Sequence, residues 1–89
     1  MKSSLTDHQI IELRPDDDIA AIRDRLQWAK ARRVLLIVPK RSKALRLLVN
    51  LKLVKRAAED NLLEIALVSR NRETVRVARE VGLPTFGSA

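Results

Sequence analysis

The strongest constraint in this sequence is a pair of short, unbroken apolar runs, Val34-Leu35-Leu36-Ile37-Val38 and, after Glu64, Ile65-Ala66-Leu67-Val68. Neither alternates apolar with polar, and both are rich in aliphatic and β-branched side chains. The first stops at Pro39. Strands of a parallel sheet covered on both faces look like this. Both runs are therefore expected as interior strands.

The segments around them carry helical signals. Gln9-Ile10-Ile11-Glu12-Leu13 reads as a first strand, and Pro15 with Asp16-Asp17-Asp18 as the turn and N-cap of a helix whose positive end suits carboxylates. Ile19, Ile22, Leu26 and Ala29 recur at helical spacing up to about Ala31. Ser42 reads as the cap of a second helix running to about Asp60. Asn71 reads as the cap of a third, which carries Val77, Ala78 and Val81. Gly82 stands where a left-handed C-terminal residue is wanted, and Leu83-Pro84-Thr85-Phe86 follows as a short last strand. The order β-α-β-α-β-α-β with short connections predicts an α/β fold: a Rossmann-like unit in two or three layers around a four-stranded, mostly parallel sheet. Residues 1–7 are expected as a polar N-terminal lead and 8–87 as one domain. Its end at Gly87-Ser88-Ala89, with no helix to follow the fourth strand, reads as the N-terminal part of a longer protein.

Eighty-nine residues bury only about two-thirds of the unfolded surface, so the stability margin is thin. The only large rings are Trp28 and Phe86, so the core is Leu, Ile, Val and Ala. The absence of cysteine excludes disulfides, Cys-rich zinc sites and thiol chemistry, and agrees with a reducing compartment. No apolar stretch reaches the roughly 20 residues of a membrane span, and no signal-peptide core follows Met1. The expected location is cytoplasmic.

The second helix is apolar on two sides. On a wheel at 100° per residue, Ala44, Leu47, Leu48, Leu51, Val54 and Ala58 form the core face, and Leu45, Val49 and Leu53 lie opposite, beside Lys52 and Arg56. One sheet covers only one side, so the second side is covered by neighbouring helices and long basic side chains or by a partner. Trp28 lies about 140° from the centre of the first helix's apolar face. It is expected outside the core, either as an interface anchor or folded over the sheet edge. Trp28, Leu45, Val49 and Leu53 are the candidate interface residues.

The whole net charge of +7 sits in residues 31–60, where nine basic residues face two acidic ones. Lys40, Arg41, Ser42 and Lys43 follow the second strand, where open parallel sheets place ligands and a helix N-terminus offers amides to an anion. They are the candidate anion-binding residues. The loop has no glycine, which argues against a dinucleotide or Walker-type site, and no cofactor is expected. A wider basic surface would suit the backbone of a nucleic acid or an anionic membrane. The near absence of rings argues against single-strand base readout. Asp16, Asp17 and Asp18 read as capping residues rather than metal ligands. His8 stands alone, Ser42 and Ser69 read as cap or turn residues, and no catalytic pairing of nucleophile and base is visible.

Asp17-Asp18-Ile19 with Ile22 and Leu26, Arg33-Val34 through Pro39, Leu47 to Leu53 with Arg56-Ala57-Ala58, Ala66-Leu67-Val68-Ser69, and Ala78 with Gly82-Leu83-Pro84 together resemble an uncharacterised bacterial family of Rossmann-like N-terminal domains. The resemblance implies a cytoplasmic module ahead of a variable linker and, in many similar proteins, a membrane segment or extracytoplasmic domains. It implies no active site.

The functional expectation is a non-enzymatic interaction or regulatory module, with a protein partner, a second copy, or the rest of its own chain as the partner. The alternative is binding of a polyanion through the basic surface. An enzyme acting on a phosphorylated small molecule at Lys40 to Lys43 comes last.

Overall fold

The computed structural model describes residues 8–87; the lead at 1–7 lies outside the described residues. Four strands, β1 (His8–Glu12), β2 (Arg33–Ile37), β3 (Glu64–Val68) and β4 (Thr85–Phe86), alternate with three helices, α1 (Ile19–Gln27), α2 (Leu48–Asp60) and α3 (Arg72–Glu80). The sheet is parallel throughout and its strands stand in chain order, β1-β2-β3-β4.

That order decides the layering. Right-handed crossovers that always step the same way leave every helix on one face of the sheet. In keeping with this, α1 packs on α2 and α2 on α3. The fold is thus a two-layer α/β unit. β2 and β3 are central, as expected, but their predicted cover on both faces is corrected: helices cover one face and the other is open.

The core lies between sheet and helices. Ile11, Leu13, Val34, Leu36, Val38, Ile65 and Leu67 point from the sheet into a layer formed by Ile22, Leu26, Leu51, Val54, Ala58, Val77 and Ala78. Helix ends follow local chemistry. The Asp18 carboxylate accepts from the Ala21 amide at 2.9 Å, and Asn71 Oδ1 accepts from the Glu73 and Thr74 amides at 2.9 and 3.2 Å. Each satisfies amides that a first turn leaves without helical partners. Asp17 is also engaged, accepting from the Arg14 amide at 2.7 Å. Gly82 ends α3 at φ +84°, a left-handed position natural to glycine. Leu62, just past α2, adopts φ +57° without that freedom.

The predicted second helix breaks. A 3-10 turn, Ala44–Arg46, precedes α2, and Leu47 between them is extended at φ −97°, ψ 128°. Residues before the break do not share the wheel of those after it. Leu45, expected on the outer side, is therefore fully buried in the core, whereas Leu47 and Leu48, expected inside, are exposed. Ser42 does not cap the helix: its hydroxyl is buried without a hydrogen-bond partner. Leu47 stands at the N-cap of α2, with no side-chain cap bond.

Candidate functional site

The pleat sends alternate strand residues to opposite faces. With Ile11, Val34, Leu36, Ile65 and Leu67 committed to the helices, the other face receives Ile10 and Phe86, which are exposed, Leu35, Ile37 and Ala66, which are half-buried, and Val68, which is buried. The parallel register aligns them in rows. Ile10 stands beside Leu35 and Leu35 beside Ala66; one step along, Ile37 stands beside Val68 and Val68 beside Phe86. Ile10 is 64% and Phe86 54% exposed. Ile10, Leu35, Ala66, Pro84 and Phe86 line a shallow hollow of about 570 Å³.

The polar groups of this face lie at its ends. Arg33 Nε donates to Glu64 Oε1 at 3.2 Å across neighbouring strands, and both side chains are exposed. Such a pair contributes at most about 1 kcal/mol, so its main effect is to cancel charge. His8 and Glu12 complete the exposed positions of β1. The face is therefore apolar and almost neutral. Most other cations lie elsewhere, in the loop and turn after β2, on α2 and on α3.

The four candidate interface residues are not brought together. Leu45 is withdrawn from any interface by its burial. Leu53 is partly buried, and Val49 is exposed near the start of α2. Trp28 is 70% exposed and caps the C-terminus of α1. In a parallel βαβ unit, helices start at the carboxyl edge of the sheet and end at its amino edge, so Trp28 and Val49 lie at opposite ends of the domain.

The candidate anion-binding residues are also dispersed. Lys40 lines a hollow of about 240 Å³ at the carboxyl edge with Ser69 and Arg70. Its carbonyl is occupied, accepting from Asn71 Nδ2 at 3.0 Å and Arg46 Nη2 at 3.4 Å. Arg41 and Lys43 are exposed, and Ser42 is buried. A sheet in chain order also has no switch point, the place where crossovers diverge to opposite faces and open a ligand crevice. Among the described residues, no group of three or more His, Cys, Asp and Glu side chains gathers at metal-binding spacing, and no helix is long and apolar enough to cross a membrane.

The open face escaped sequence reasoning although its signal was visible. Both sides of β2 and β3 are apolar, and a pattern that fits cover by two helix layers fits equally cover by one helix layer and something outside the domain. Compared with protein-family models, curated proteins and solved structures, the chain matches none.

Proposed function

We propose that the domain is a non-enzymatic self-association module that stacks its open sheet face on that of a second copy. The observation that carries this reading is the in-register set of Ile10, Leu35 and Ala66 with Phe86 beside them, lining one apolar hollow on a sheet whose opposite face already has its helices. Charge supports a second copy as the occupant. The domain is strongly basic, so two copies repel through most surfaces, and they approach with least repulsion at the open face, where the charge of Arg33 is balanced by Glu64. A face-to-face contact is also isologous, the usual geometry of a dimer.

The expected affinity is modest. Three strands about 17 Å long and the two-residue β4, about 4.8 Å apart, offer a flat footprint of roughly 300 Å² per copy, below the range of stable specific interfaces and in that of weak, transient ones. Dissociation constants of about 10 μM to 1 mM are expected.

Sedimentation equilibrium across that range tests the reading, with wild type beside Leu35→Lys/Phe86→Lys. A reversible wild-type dimer and a folded, monomeric variant are expected. A wild type that stays monomeric to about 1 mM, or a variant that dimerises equally well, overturns the reading.

A further inference from the structure

We infer that the kinked start of α2 is a docking tip for an anionic lipid bilayer. Leu47, Leu48 and Val49 are consecutive, and all three are exposed, Leu47 by 54% and Val49 by 60%. They are exposed because the chain breaks at Leu47, which buries Leu45 and turns the next residues outward. From residue 39 to residue 58 the chain holds seven cations and no acid. None of Lys43, Arg46 and Lys52, which flank the tip, is in an ion pair among the described residues.

Two departures from local rules coincide here. A leucine at an N-cap forgoes the hydrogen bond that Ser, Thr, Asp or Asn would give, and three adjoining aliphatic side chains face water within the most basic part of the chain. At a membrane surface both become favourable. Aliphatic side chains enter the boundary between headgroups and acyl chains, flanking Lys and Arg meet anionic headgroups, and the uncapped positive helix end faces phosphate.

A nucleic acid fits less well. Its phosphates would use the cations, but Leu47, Leu48 and Val49 offer bases neither stacking nor hydrogen bonds. The tip lies at the carboxyl edge of the sheet, away from the open face, so this inference does not depend on self-association.

Co-sedimentation with vesicles provides the test, using phosphatidylcholine alone and with about 30 mol% phosphatidylserine. Wild type is compared with Leu47→Ser/Val49→Gln, in which serine is the better N-cap so the fold is not endangered, and with Lys43→Gln/Lys52→Gln. Wild type should bind only the anionic vesicles and release as salt is raised to about 0.5 M. The apolar variant should bind at least about tenfold more weakly, and the charge variant about 25-fold, or about fivefold per cation. Equal binding by wild type and Leu47→Ser/Val49→Gln overturns the inference, as does no binding to anionic vesicles at low salt. So does tighter binding to a DNA duplex that the apolar variant retains.

Discussion

Leu35 and Leu36 are adjacent in the same central strand, with the same side chain and neighbouring places in the same ladder. Leu36 is fully buried under the helices, whereas Leu35 lines the open hollow. The difference owes nothing to the residues themselves. It comes from three crossovers that all fold to one side, so that one apolar face is filled from within the chain and the other is left for an outside surface. The two faces also differ in what lies behind them. The covered face is backed by the helix layer, whose outer surface carries much of the positive charge, and the open face is close to neutral.

The contrast is sharpest in large-to-small substitutions. At about 1 μM, where self-association is negligible, Leu36→Ala should lose about 3 kcal/mol in urea denaturation, because it leaves a cavity under the helices. Leu35→Ala should lose less than about 1 kcal/mol. Equal losses would mean that the second face is covered in the monomer, breaking the comparison.

A smaller effect of opposite sign is expected within the covered layer. Thr74 in α3 is fully buried and its hydroxyl has no hydrogen-bond partner. Thr74→Val keeps the shape and removes a buried polar group, so thermal unfolding should show a gain of about 1 kcal/mol. A loss would reveal a partner for the hydroxyl in solution and a less dry helix layer.

The smallest effect concerns the return from the helix layer to the sheet. Leu62 holds a left-handed conformation at 83% exposure, with little packing to offset the strain. Leu62→Gly should relieve part of a cost of about 1 kcal/mol, leaving a net gain of about 0.5 kcal/mol after glycine's greater unfolded-state freedom. The same denaturation experiment measures it, and a loss would show that Leu62 packs against something the domain alone does not supply.

Much of the fold was legible because the signals for it are local. Asp18 and Asn71 cap helices wherever those helices pack, since the acceptor and the amides it serves lie within three residues. Gly82 ends α3 for a similarly local reason. The candidate sites were less legible. Placing Leu45 on an outer face assumed an unbroken helix, and one extended residue, Leu47, reversed the inside and outside of its neighbours. The loop at Lys40 to Lys43 was read as one site, yet its turn buries Ser42 and leaves Arg41 and Lys43 exposed.

By itself, then, the sequence determined the alternation of strands and helices, the caps of α1 and α3 but not that of α2, and the centrality of the two apolar runs, because each depends on periodicity or on contacts a few residues apart. Only the tertiary structure decided that the sheet runs in chain order with its helices on one side, and hence that Ile10, Leu35 and Phe86 belong to a surface. Strand order is a choice among long-range pairings of similar local cost, and it is settled when the whole chain packs at once.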